Sequence, residues 1–172
     1  PGRWYVDPDE AYSPEIGAPD RVYARRAGLL DEINLDTDVL GIDTDLLDRL
    51  DPMFRVVLRA AQMAVADGLP ETLDRNRTGV IFGNIVLPTD ASSDLALETL
   101  GRRFAERLGQ VGPEPEATEP LNRYVAGFPA GLVAHALGLR GGSYTLDAAC
   151  ASSLYALKLA CDQLTSGRAD GM

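Results

Sequence analysis

Histidine, lysine and cysteine are almost missing from these 172 residues: His135, Lys158, and the pair Cys150 and Cys161. One histidine and two cysteines make no zinc pattern, so no metal site is expected. The two cysteines allow one disulfide at most. They fall eleven residues apart in a single helical pattern, roughly 16 Å at about 1.5 Å per residue, too far for a bridge. Long apolar runs are missing too. None approaches the roughly 18 residues a membrane-crossing helix needs. The opening PGRWYVDPDE holds no charged-then-apolar targeting segment. A basic surplus is absent: 26 acidic residues face 16 basic ones, a net charge of -10. That argues against nucleic acid or an anionic membrane as partner, because phosphate binding needs a basic surface. No internal repeat and no low-complexity tract is found. These absences predict a soluble, cytoplasmic chain.

What is present is ordinary globular composition, 45% hydrophobic and 24% charged. It suits one domain and is short for two. The chain opens on Pro1 rather than methionine. It ends in RADGM, just past a predicted helix and where a new strand is expected, so it reads as an excerpt.

The first 50 residues are rich in Pro, Asp and Gly, and loops with short elements are expected there. Asp51-Pro52 then opens a helix, with Asp51 as cap and Pro52 at the first helical position. Met53, Val56, Val57, Ala60, Met63 and Ala64 recur at helical spacing, and Gly68-Leu69-Pro70 ends the run. TGVIFGNIV, residues 78–86, predicts a buried strand. Residues 92–108 predict a helix, and VGPEPEATEP, residues 111–120, a surface loop. Pro129 to Leu137 predicts a short apolar helix stopped by Gly138. SYTLD, residues 143–147, predicts a short strand. From Cys150 to Leu164 a helix is expected, with Leu154, Leu157, Cys161 and Leu164 on one stripe. Strands alternating with helices give an α/β class with a largely buried sheet.

The segment Gly-Gly-Ser-Tyr-Thr-Leu-Asp-Ala-Ala-Cys-Ala-Ser-Ser-Leu, residues 141–154, carries the chemistry. A strand runs into a tight turn of small residues, a cysteine sits at the turn, and a helix begins there. This is the layout of a nucleophile elbow. Ala148, Ala149 and Ala151 let a substrate approach the sulfur. Free N–H groups of the first helical turn are expected to point toward a thiolate. A helix N-terminus stabilises an anion by about 0.3–1 kcal/mol, about 2 when partly buried. That is too little to ionise a thiol fully, so an imidazole partner is expected. Packing as a small buried hydrophobe is the competing role for Cys150. Cys161, mid-helix on the apolar stripe, is expected in the core. His135 reads as a structural histidine, and Asp147 as an acceptor for turn N–H groups rather than a general base.

At this point the residues resemble a known family. TLDAACASSLYALKLACDQLTSGRAD resembles the active-site segment of β-ketoacyl synthases of the thiolase-like fold. LDPMFRVVLRAAQMAVADG, RTGVIFGN, AGFPAGLVAHALGLRGGSYTLD and PGRWYVD resemble other parts of the family in order and spacing. GRW, LLDRLDP, GVIFGNIVLPTD and DAACASSLYALKLACD are most similar to multidomain polyunsaturated fatty acid synthases and type I polyketide synthases. The resemblance implies a layered αβαβα fold, of which residues 1–172 are the N-terminal portion. The nucleophile then stands at the start of a buried helix, and the first strand and the C-terminal half lie outside the chain. It implies that Cys150 accepts an acyl group from an acyl carrier protein. A malonyl-type extender then loses carbon dioxide and attacks the thioester. The backbone N–H of Cys150 would contribute to an oxyanion hole. No metal or redox cofactor is implied, since substrates ride on phosphopantetheine. Implied partners are the acyl carrier protein, a second copy in a homodimer, and the remaining domains of a multidomain synthase.

Departures stand beside the matches. The family's two catalytic histidines and supporting lysine fall beyond this chain, and neither His135 nor Lys158 matches them. Ala148 replaces the usual threonine. The fragment alone is therefore expected to be inactive. Two other readings stay open: a non-catalytic ketosynthase-like partner, such as a chain-length factor or dimerisation module, and an unrelated cysteine hydrolase. Arg102, Arg103 and Arg107 form a candidate patch for the carrier protein, with a solvated helix face as the competing reading.

Overall fold

The structure, a computed structural model, describes residues 7–26, 28, 30, 33–37, 40–68, 72–85, 89–110 and 118–172. The predictions made on PGRWYV, on Leu69-Pro70, on Val86 and on residues 111–117 lie outside them. The chain divides into two compact units, Pro1–Glu32 and Ile33–Met172.

In the first unit the Pro-, Asp- and Gly-rich sequence yields, among the described residues, one helical turn, α1 (Pro8–Ala11), and a single bridge between Tyr12 and Val22. Arg25 closes it locally. Its guanidinium lies 4.2 Å from the Tyr12 ring centroid and 2.9 Å from Asp9. Tyr23 and Val22 are exposed, so this unit builds no core of its own among the described residues.

The second unit begins with α2 (Thr44–Arg49), whose cap Asp43 accepts the Asp45 N–H at 3.0 Å. It then runs into α3 (Pro52–Gly68). Asp51 caps α3 as expected, accepting the Met53 N–H at 2.8 Å, and it is fully buried. Its burial is tolerable because its polar atoms are satisfied. Its second carboxylate oxygen accepts the Thr89 hydroxyl, and its N–H donates to Asn122 Oδ1 at 2.8 Å. Asn122 is itself buried and donates to Arg49 O at 3.1 Å.

The inward stripe of α3 is one position away from the expected one. Phe54, Val57, Leu58 and Ala61 are buried, whereas Val56 and Met63 are exposed. The expected set does fall at helical spacing. However, α3 is apolar on more than one face, and spacing alone does not say which face meets the core. Phe54 settles it by stacking edge-on against Phe128, with ring centroids 6.0 Å apart at 67°.

Strand β1 (Val80–Gly83) follows a 3₁₀ turn at Arg75–Arg77. Next come α4 (Asp90–Ala96) and α5 (Arg102–Arg107), joined by a π-helical turn at Leu97–Gly101. The single helix expected over 92–108 thus starts earlier and is interrupted. Thr89 sets the start through a reciprocal cap with Ser92. Glu98, in the π turn, accepts the Thr118 hydroxyl at 2.6 Å and its N–H at 3.2 Å. These bonds hold its carboxyl below the usual carboxylate range. A 3₁₀ turn at Pro120–Tyr124 leads to α6 (Pro129–Leu137), whose bounds match the expectation. Gly138 ends α6 at φ 66°, a left-handed conformation that glycine adopts without Cβ strain.

Strand β2 (Ser143–Leu146) pairs in parallel with β1, Val80 beside Ser143 through Gly83 beside Leu146. Helices α4, α5 and α6 supply the crossover that a parallel pair needs. The core lies between α3 and α6, from Phe54, Leu58, Leu132, Val133 and Leu137, with Leu40, Leu47 and Leu50 closing one end. The strands are only half-buried, contrary to the expected buried sheet. The far side of β1 carries just one bridge among the described residues, Thr78 with Gly171. A cleft of about 600 Å³, lined by Ala61, Val65, Ile81, Phe82, Leu164 and Met172, opens beside it. Arg77 anchors that end with two 2.7 Å bonds to the Asp170 carboxylate, which hold Asp170 below its ordinary value.

The last helix, α7 (Ser152–Thr165), corrects two expectations. Leu154 and Leu157 are 72% and 63% exposed, Leu164 is exposed, and so is Cys161, which was expected in the core. The helix is therefore not a buried one. The face toward β1 is Ser152, Ala156, Leu159, Ala160 and Gln163, all buried or half-buried. The reason is distance. A Cβ placed on Gly83 would stand 2.7 Å from the Ser152 carbonyl carbon, so small residues line most of that face and larger ones turn outward.

Candidate active site at the strand–helix elbow

Strand β2 ends at Leu146, and four residues later a 3₁₀ turn, Ala149–Ala151, carries Cys150. The turn is pinned from both sides. Asp147 Oδ1 accepts the Ala149 N–H at 2.9 Å, the role expected of it. Ser152 Oγ accepts the Ala148 N–H at 2.9 Å and donates to the Ala149 carbonyl at 2.7 Å. Between these clamps Ala149 sits at φ 49°. That region costs a residue with a Cβ on the order of 1–2 kcal/mol, so the surrounding bonds have to hold it there.

Cys150 is exposed and unbridged. The supply of N–H groups around it is narrower than expected. Ala151 N–H is used on Ala148 O at 3.1 Å, and Ser152 N–H on Ala149 O. The Cys150 N–H has no acceptor among the described residues. The turn thus presents a sulfur and one unused donor on the same residue. That pairing suits nucleophilic attack on a carbonyl whose oxygen becomes negative.

The other singled-out residues stand apart from this constellation. His135 is exposed near the C-terminal end of α6 and has no side-chain hydrogen bond among the described residues. Lys158 pairs along α7 with Asp162 at 2.5 Å. Arg102, Arg103 and Arg107 are exposed on α5, beside the exposed Leu100, Phe104 and Leu108. Cys150 does not line the cleft beside β1. Among the described residues no group of three His, Cys, Asp or Glu is gathered for a metal, and no helix is long and apolar enough to cross a membrane.

Sequence reasoning assigns Ser152 no role. A signal is nonetheless present: Ala151, the residue before α7, has no side chain able to cap, which leaves the following serine to fold back on the turn.

The chain is similar to known proteins in sequence and in fold. The chain is 32% identical over 170 residues to a mycocerosic acid synthase-like polyketide synthase of Mycobacterium tuberculosis. It is 34% identical over 165 residues to the pikromycin polyketide synthase component PikAII of Streptomyces venezuelae. The alignments cover 98% and 94% of this chain but only 7% and 4% of those proteins. Among solved structures, a PfaC keto synthase–chain length factor superposes with a TM-score of 0.73 at 33% identity, over 95% of this chain and 19% of that one. An oxazolomycin ketosynthase domain from Streptomyces albus, at 23% identity and a TM-score of 0.59, shares the fold. The thiolase-like α/β architecture is therefore that of ketosynthase domains, with Cys150 at its elbow. The family model for the β-ketoacyl synthase N-terminal domain matches residues 1–172, the whole chain, and the chain belongs to that family.

Proposed function

We propose that this chain is the nucleophile-bearing portion of a decarboxylative condensing domain in a multidomain synthase. The observation that supports the reading is Cys150 itself, exposed at a pinned turn with its own N–H free of an acceptor among the described residues, in a segment that resembles the β-ketoacyl synthase active-site motif. The Cys150 thiolate attacks the thioester carbonyl of an acyl group carried on phosphopantetheine. A carbon–sulfur bond to Cys150 forms, the bond to the carrier sulfur breaks, and the carrier thiolate takes up the proton that Cys150 lost. A malonyl-type extender on a second carrier then releases carbon dioxide. The electron pair of the broken bond becomes a carbanion, which attacks the Cys150 thioester. A carbon–carbon bond forms and Cys150 leaves as thiolate. The Cys150 N–H stabilises both tetrahedral oxyanions, a contribution typically worth ~10²–10³ in rate per donor.

The reaction asks for an imidazole at the decarboxylation step, and His135, exposed on α6, makes no hydrogen bond to the Cys150 turn among the described residues. That help belongs to other parts of the synthase. The product class is a polyketide or a polyunsaturated fatty acid. The partners are an acyl carrier protein, a second copy and the neighbouring domains, in the cytoplasm. A non-catalytic chain-length-factor reading draws on the likeness to the PfaC keto synthase–chain length factor, but the cysteine at the elbow favours the condensing role. The test is to treat the intact synthase with iodoacetamide or a cerulenin-type electrophile and map the adduct, then assay condensation by Cys150→Ala. Labelling at Cys161 instead of Cys150, or condensation retained by the variant, overturns the proposal.

A further inference from the structure

The peptide unit between Ala149 and Cys150 is gripped at one end and open at the other. The Ala149 carbonyl accepts two donors from the same residue, the Ser152 hydroxyl at 2.7 Å and the Ser152 N–H. In a planar trans peptide the carbonyl and the following N–H point in opposite directions. Fixing the Ala149 carbonyl therefore fixes the direction of the Cys150 N–H, the donor that has no acceptor among the described residues. Ser152 also holds the preceding unit, through the Ala148 N–H at 2.9 Å. Ser152 is 4% exposed, so water does not compete freely for these bonds.

We propose that Ser152 is a positioning residue for acyl transfer: its hydroxyl aims and polarises the Cys150 N–H toward the oxyanion. The inference rests on the condensing reading above and deepens it. It separates two reactions of the same sulfur. Alkylation by iodoacetamide displaces iodide and forms no oxyanion. Acylation by a thioester passes through one.

The experiment follows both reactions at Cys150 in the intact synthase, using an acyl-coenzyme A thioester and iodoacetamide as probes, with adducts mapped by mass spectrometry. Ser152→Ala is expected to slow acylation by about 10- to 100-fold, because the donor is misaimed rather than removed. The loss is in the rate constant, with KM unchanged, and alkylation stays within about threefold. Ser152→Thr, which keeps the hydroxyl, is expected to restore acylation. If the alanine variant does not fold, Ser152→Cys repeats the comparison with similar volume and a weak donor. Unchanged acylation in the alanine variant, an equal fall in both reactions, or a threonine variant as slow as alanine overturns the inference. A wild-type protein that is alkylated at Cys150 but never acylated overturns the condensing reading, and this inference with it.

Discussion

Gly83 is where the sheet comes closest to the candidate site, and replacing it by alanine tests that approach directly. An added Cβ would stand 2.7 Å from the Ser152 carbonyl carbon, 2.8 Å from its oxygen and 2.9 Å from the Ser153 nitrogen. Ordinary contact between such atoms is about 3.5–4.0 Å, so β1 and α7 must separate by roughly an ångström. All three atoms are backbone, and no flexible side chain is available to yield. Overpacking of this kind costs about 1–3 kcal/mol. In a domain of this size each kcal/mol lowers the melting temperature by about 2–4 °C, so a fall of roughly 2–12 °C is expected. Gly131→Ala is the control with the opposite sign. Its Cβ would meet only the Phe128 ring, at 3.5 and 3.7 Å, and the position is helical. There alanine is expected to stabilise by about 0.5–1 kcal/mol. Thermal unfolding followed by circular dichroism reads both. A Gly83→Ala variant that melts with the wild type, or a Gly131→Ala variant that falls as far, refutes the close-approach argument.

Other outcomes follow from the same structure. Phe54→Ala is expected to cost about 3–5 kcal/mol in urea unfolding, and a double-mutant cycle with Phe128 to return about 0.5–1.5 of it as pair coupling. Asp170 is held below its ordinary value by the hydrogen bond from Arg77, so the native state binds fewer protons than the unfolded one. The stability it contributes is complete above roughly 3.9, the ordinary aspartate value, and is lost as pH falls through the lowered one. Asp170→Asn should therefore unfold more easily at pH 7, and its deficit should shrink in acid. A deficit that grows in acid contradicts the assignment. Cys161→Ala is expected to leave acylation unchanged, because the thiol lies on the exposed face of α7.

Local signals are legible where one residue decides the outcome. Gly138 stops α6 because a left-handed cap suits glycine, and Asp147 serves the turn because a short carboxylate reaches its own next N–H groups. Asp51-Pro52 opens α3 for the same kind of reason. Facing is harder. Periodicity places Leu154, Leu157, Cys161 and Leu164 together, but which stripe of α7 turns inward depends on how near β1 lies, a tertiary quantity. The large side chains suggest a core by their size, whereas the small Ala156 and Ala160 are what fit beside the strand. At the site, Cys150 is legible from its motif. The clamp by Ser152 is signalled only by the lack of a capping side chain at Ala151, and its partners depend on a bent turn that brings residues 148 and 152 within bonding distance. The π turn at Leu97–Gly101 has no sequence signal that separates it from continuous helix.

The outward leucines of α7 also bear on how the chain behaves as a colloid. At pH 7 a net charge of -10 opposes unspecific clumping through those side chains. Repulsion fades as the pH approaches the isoelectric point near 4.5, and Leu154 and Leu157 then present sticky contacts to their neighbours. Mild acid should cloud a solution of this chain while its strands and helices are still intact, and a polar replacement at position 157 should raise the concentration at which clouding begins.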